Sequence, residues 1–130
     1  MKDKIIMKSK AEIGGVIVPL VTPLTPGEQV DEAALQKCVN HVIEGGVDGV
    51  FINSTTGEYA ALRDAEREHN LQVVSELAAG RATVYAGISD TGTARVLQNI
   101  DVAAKYPVDA FVLMPPLVSS GKFEKNRGCY

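Results

Sequence analysis

Four short apolar runs punctuate the chain: "VIVPLV" (Val16–Val21), "GVFIN" (Gly49–Asn53), "TVYAGI" (Thr83–Ile88) and "AFVLM" (Ala110–Met114). Each is almost continuously apolar rather than alternating, as strands covered on both faces of a parallel sheet are. Between them the apolar spacing becomes helical. Behind Asp31, an N-cap candidate, Leu35, Cys38, Val39, Val42 and Ile43 fall on one face, and Gly45 and Gly46 supply a stop. A second helix is predicted from near Asp64 to Gly80, with Leu71, Val74 and Leu77 inward. The charged start of that helix, Arg63, Asp64, Glu66, Arg67 and Glu68, is expected to lie in solvent. A third helix begins near Thr93, turns Leu97, Ile100 and Ala104 inward, and stops before Pro107.

The runs begin at positions 16, 49, 83 and 110, each separated by about 30 residues, the length of a βαβ unit. Strand and helix alternate, so the class is α/β with a parallel sheet. Two architectures satisfy this pattern. An open doubly wound sheet carries a glycine-rich phosphate turn after its first strand, and here that position reads "VTPLTPGEQV", without G-x-G-x-x-G. A (β/α)8 barrel needs about 250 residues, and the 130 residues present supply about half.

Composition narrows the function classes. The 45% hydrophobic content is that of a globular chain. A net charge of -3 without a long run of one sign argues against nucleic acid and anionic membranes. There is no Trp and aromatics are few, which removes a base-stacking platform. The basic start "MKDKIIMKSK" holds only Ile5, Ile6 and Met7 as an apolar core, too short for a secretory segment. No run is long enough to span a membrane. Cys38 and Cys129 lack zinc-type or CxxC spacing, and two free thiols fit a reducing cytoplasm.

The stretch "FINSTTGEYAAL" holds the candidate chemistry. A buried strand ends at Phe51 and Ile52, and Ser54, Thr55, Thr56, Gly57 and Glu58 follow. Ligands in α/β folds sit at the C-terminal ends of the strands. A threonine hydroxyl donates one hydrogen bond and accepts others. Backbone N–H groups of a tight loop converge on an anion. Together these groups suit a small carboxylate. Gly57 allows a turn that a side chain would block, and Glu58 is expected to cap exposed N–H groups. On the residues alone, the alternative that these hydroxyls cap the following helical turn stands equally.

The wider pattern reads "VPLVTPLT", "VDEAAL", "GGVDGVFINSTTGEYAAL", "YAGIS" and "VLMPP", in that order. From Gly14 to Pro116 this resembles the dihydrodipicolinate synthase / N-acetylneuraminate lyase family. These are (β/α)8 enzymes of the class I aldolase type that act on pyruvate or release it. The resemblance implies the N-terminal half of a TIM barrel, about four parallel strands and three helices. It would occupy residues 14–118, between an N-terminal extension (1–13) and a polar tail (119–130). It implies pyruvate or another 2-oxo acid as ligand, no cofactor and no metal. By matching position, Thr55 would relay a proton, and Thr56 with its N–H would grip the carboxylate. Ser54, where the family often has Gly, and Gly57 complete the substrate-binding set.

The resemblance also marks departures. After the fourth strand the family commonly reads Pro-Tyr-Tyr, and here "PPLVSSG" puts Leu117 and Val118 there. Neither carries a proton. The family's Schiff-base lysine belongs to a sixth strand, which lies beyond Tyr130. Lys105 at a helix end, and Lys122 and Lys125 in the tail, lack the desolvated setting that activates a lysine.

The remaining polar and aromatic residues read as structural. His41 and His69 have no partner at metal-ligand spacing and belong to the surface. Tyr59 and Tyr85 are expected to pack. Asp48 and Asp109 each precede a strand and are expected to fix its entry. The expected function is a Schiff-base pyruvate-dependent aldolase or lyase, truncated here and inactive alone. The rival is a non-enzymatic half-barrel fragment that self-associates, with Val18, Ile52 and Ala86, or their neighbours, facing the missing wall. A homo-oligomer is expected in either case.

Overall fold

The computed structural model describes residues 13–115. Residues 1–12 and the polar tail, with Leu117, Val118, Lys122, Lys125 and Cys129, lie outside the described residues. The chain order is β1 (Ile17–Pro19), α1 (Glu32–Glu44), β2 (Gly49–Ile52), a 3-10 turn (Tyr59–Ala61), α2 (Asp64–Ala78), β3 (Thr83–Gly87), α3 (Thr93–Ala103) and β4 (Ala110–Val112). The four strands form one sheet in the order β1-β2-β3-β4, all parallel. This is the predicted architecture, and among the described residues β1 and β4 are its edge strands.

Local chemistry sets the ends. Asp31 caps α1, its carboxylate accepting from the Ala34 N–H at 3.0 Å, and α1 ends where Gly46 turns left-handed at φ 88°. Asp48 and Asp109 act across strands: Asp48 accepts from the Val16 N–H at 2.7 Å and Asp109 from the Val84 N–H at 2.8 Å. Each carboxylate thus pins the start of a neighbouring strand, not the entry of the strand it precedes.

One face of the sheet is covered by helices. Val50, Ile52, Val84 and Ala86 pack with Leu35 and Val39 of α1, Leu71, Val74 and Ala78 of α2 and Ala103 of α3. Successive strand residues point to opposite faces, and the register aligns Val18, Val50 and Val84, then Ile52 and Ala86. Val18, Ile52 and Ala86 therefore belong to the helix side, so of the two sets the sequence left open it is their neighbours that face away from the helices. The open side carries Ile17, Pro19, Phe51, Tyr85 and Val112 instead. A run apolar at every position gives no sign of which parity meets the helices. Tyr85 packs, as expected, with its ring over Gly49.

Two helix faces also differ from expectation. Leu97 is 57% exposed, and Val96, Ile100 and Ala103 carry the contact of α3 with the core. Arg67 is only 7% exposed, while the half-buried Glu66 and Glu68 accept from the Val30 N–H at 2.7 Å and the Tyr106 hydroxyl at 2.9 Å. The start of α2 is therefore solvated only at Arg63 and Asp64, among the five charges.

Candidate functional site

The threonine loop begins where β2 ends. Asn53 is left-handed at φ 53°, a conformation its short amide tolerates better than most residues. Its carbonyl then passes over Gly87 of β3, where a Cβ would collide with it. Gly57 is required for a similar reason. A Cβ there would stand 2.9 Å from the Leu20 carbonyl, so glycine provides clearance. The second left-handed residue of the loop is Glu58, at φ 56°.

The loop is tied internally. The Ser54 hydroxyl accepts from the Gly57 N–H at 3.2 Å, and the Thr55 carbonyl accepts from the Glu58 N–H at 3.0 Å. The Ser54 carbonyl accepts from the Tyr59 N–H at 3.4 Å. Glu58 is exposed and its carboxylate takes no hydrogen bond among the described residues, so the capping expected of it falls to Ser54. Ser54 and Gly57 are buried beneath the loop, whereas Thr55 and Thr56 are exposed.

Thr55 and Thr56 stand at the C-terminal end of the sheet, on the same rim as Ser89 and Pro115. The Thr55 hydroxyl lies 3.8 Å from the Met114 sulfur, and the Ser89 hydroxyl accepts from the Met114 N–H at 2.8 Å. The exits of β2, β3 and β4 are thus contiguous. Among the described residues, the N–H groups of Thr55 and Thr56 donate to nothing, and the Thr56 hydroxyl has no partner. Neither threonine hydroxyl caps a helix, so the capping alternative fits Ser54 alone.

A buried polar layer supports this rim. The Asn53 side chain donates to the Arg67 carbonyl at 3.1 Å and accepts from Asn70 at 2.9 Å. Asn70 also approaches the Thr22 hydroxyl at 3.3 Å, and Thr22 donates to the Gly57 carbonyl at 2.8 Å. Arg67 donates to the Asp90 carboxylate at 2.9 Å and the Ser89 carbonyl at 3.2 Å, with its guanidinium 5.4 Å above the centre of the Tyr59 ring. Arg95 reaches the other Asp90 oxygen at 3.0 Å. Burial pushes the Asp90 carboxyl upward, but Arg95, the Thr91 N–H, Arg67 and Asn99 outweigh it and hold it well below the usual carboxylate range.

Sequence reasoning missed this layer, although a signal was present. Arg67 and Asn70 share the inward stripe of α2 with Leu71, Val74 and Ala78, and polar residues there need partners. His41 is exposed and His69 half-buried, its Nε2 3.4 Å from Glu32. Among the described residues, no group of three or more His, Cys, Asp or Glu is placed to hold a metal. None of their helices is long and apolar enough to cross a membrane.

Comparison with known proteins decides the family. The Dihydrodipicolinate synthetase family pattern matches residues 12–127. The chain belongs to that family. It is 31% identical over 105 residues to the 4-hydroxy-tetrahydrodipicolinate synthase of Methanothermobacter thermautotrophicus, covering 81% of this chain and 37% of the relative. It is 33% identical over 112 residues to the N-acetylneuraminate lyase of Salmonella newport, covering 86% and 38%. Among solved structures, the dihydrodipicolinate synthase of Aquifex aeolicus matches with a TM-score of 0.76 at 31% identity, covering 80% of this chain and 35% of that one. The chain spans little more than a third of the length of the relatives it matches. Four parallel strands and three helices, laid on that part of a TIM barrel, make it a half barrel.

Proposed function

We propose that the loop Ser54–Gly57 is the carboxylate-binding element of a Schiff-base pyruvate-dependent aldolase or lyase, with pyruvate or another 2-oxo acid as ligand. The observation that carries this reading is the pair of N–H groups at Thr55 and Thr56 that find no partner among the described residues, beside two exposed hydroxyls on the rim. Thr56 offers its N–H and hydroxyl to the carboxylate. Thr55 offers a hydroxyl that accepts and passes on a proton. Ser54 and Gly57 shape the turn from below. The family's covalent step needs a lysine whose amine condenses with the keto carbon and expels water. The described lysines do not suit it: Lys37 is exposed, and Lys105 is exposed and 3.6 Å from Glu68. In this reading the 130 residues alone bind the acid weakly in the cytoplasm and form no Schiff base.

The test has two arms. In 1H–15N spectra, pyruvate should shift the amides of Thr55, Thr56 and Gly57, and Thr56→Val should reduce the response. Borohydride reduction with pyruvate, read by intact mass, should leave every lysine unmodified. Silent loop amides would overturn the binding role, and a stoichiometric lysine adduct would overturn the inactivity.

A second reading, a non-enzymatic half barrel that self-associates, is favoured by one observation. Ile17 and Pro19 on the open side are exposed, as are Val21 beyond β1 and Leu113 beyond β4. Free edges and apolar surface invite pairing. Sedimentation of dilute protein separates the readings, because a compact monomer at low micromolar concentration would remove the second.

A further inference from the structure

We propose that Asn70, a residue of α2 outside the loop, is the positioning residue that holds the threonine loop in its anion-binding shape, acting through Asn53 and Thr22. The ligand in this proposal rests on the reading of the loop given above. The loop has two ends. Asn53 opens it in a left-handed conformation, and Gly57 closes it beneath the segment that follows β1. One Asn70 amide nitrogen reaches toward both, lying 2.9 Å from the Asn53 side-chain oxygen and 3.3 Å from the Thr22 hydroxyl.

Hydrogen-bond direction makes the arrangement specific. A threonine hydroxyl has a single hydrogen. Thr22 gives it to the Gly57 carbonyl at 2.8 Å, so it can only accept from Asn70. Asn53 is committed likewise, donating to the Arg67 carbonyl while accepting from Asn70. Asn70 and Asn53 are 3% and 5% exposed, so water does not readily replace the link between them, and Thr22 is half-buried. The peptides on both sides of Thr55 and Thr56 are thereby fixed, and with them the direction of the two free N–H groups.

The identity of residue 70 supports the assignment. It sits on the same stripe as Leu71 and Val74, where an apolar side chain would satisfy packing. An amide there costs free energy unless it is bonded. The Asn70 oxygen finds no partner among the described residues, so the core gains nothing from it. What the amide nitrogen supplies is the tie to the loop.

The test uses the 130-residue chain and amide hydrogen exchange. Asn70→Leu and Thr22→Val should accelerate exchange of the Gly57, Glu58 and Tyr59 amides about tenfold or more relative to Val84 in the same sample. Thr22→Ser, which keeps the hydroxyl, should restore the protection. Val74→Ala, on the same helix but without a polar link, should change loop and strand amides together. Pyruvate should shift the Thr55 and Thr56 amides of the unsubstituted chain, with about tenfold weaker affinity in Asn70→Leu and Thr22→Val. Equal acceleration of loop and Val84 amides in Thr22→Val, or none in either, would overturn the brace. Absence of any pyruvate shift in the unsubstituted chain would overturn the loop's ligand, while the exchange experiment still decides the brace.

Discussion

The two faces of the single sheet differ in how completely they are covered. On the helix side, Val50, Ile52, Val84 and Ala86 have no measurable exposure, because three helices lie across them. On the open side Tyr85 is buried, but Phe51 and Val112 are only half-buried and Ile17 and Pro19 are exposed. The same four strands make both faces. A βαβ unit brings its own cover for one side, whereas the other side of a barrel strand is covered only by strands across the barrel. Over the described residues the helix-side core is therefore closed at its centre, and the other side is covered only in part.

The sharpest way to break this comparison is at the centre of the covered face. Leu35→Ala should cost about 2–5 kcal/mol, because a fully buried side chain leaves a cavity. Urea unfolding would measure it, and a loss within about 0.5 kcal/mol, typical of surface sites, would mean that the covered face is not the stable one.

The next effect lies in the polar layer between α2 and the rim. Arg67→Met removes one of several partners of the part-buried Asp90 carboxylate and should cost about 2 kcal/mol in the same measurement. Asp90 also makes stability pH-dependent. Its folded pKa is depressed relative to an unfolded value of about 3.9. Its stabilisation is therefore present above that value and is lost as pH falls through the folded one. Asp90→Asn should lower stability at pH 7 and flatten the decline below about pH 4, checked by urea midpoints across that range.

Smaller effects should appear on the open side. In the self-association reading, Val112→Lys places a charge on the edge strand β4 and should weaken association about tenfold with little change in monomer stability, as sedimentation would report. The smallest effect belongs to Leu97→Ala. Despite its place in the apolar sequence pattern it is largely exposed, and its removal should change stability by less than about 0.5 kcal/mol. A larger loss would mean that α3 turns a different face to the core.

Much of this was legible along the chain, because local rules dictate it. Apolar runs bounded by Asp31, Gly46 and Pro107 marked the alternation of strand and helix, and the alternation implied a parallel sheet. A strand ending at Ile52 followed by hydroxyls placed Thr55 and Thr56 on the C-terminal rim. Propensity and spacing are properties of neighbours in sequence, so they survive without tertiary knowledge.

Tertiary structure decided what depends on contacts between distant segments. Val18, Ile52 and Ala86 face the helices because the register pairs Val18 with Val50 and Ile52 with Ala86, and a continuously apolar run cannot reveal its parity. Arg67 is buried because Asp90 meets it across 23 positions of sequence, which offsets the cost of desolvating a guanidinium. Glu58 caps nothing, since Ser54 already accepts the Gly57 N–H. Gly57 is glycine because the Leu20 carbonyl stands where its side chain would be. The sequence determined which residues could form the site. Three-dimensional proximity determined which of them stay without a partner among the described residues, because a polar group's availability depends on the partners that folding brings to it.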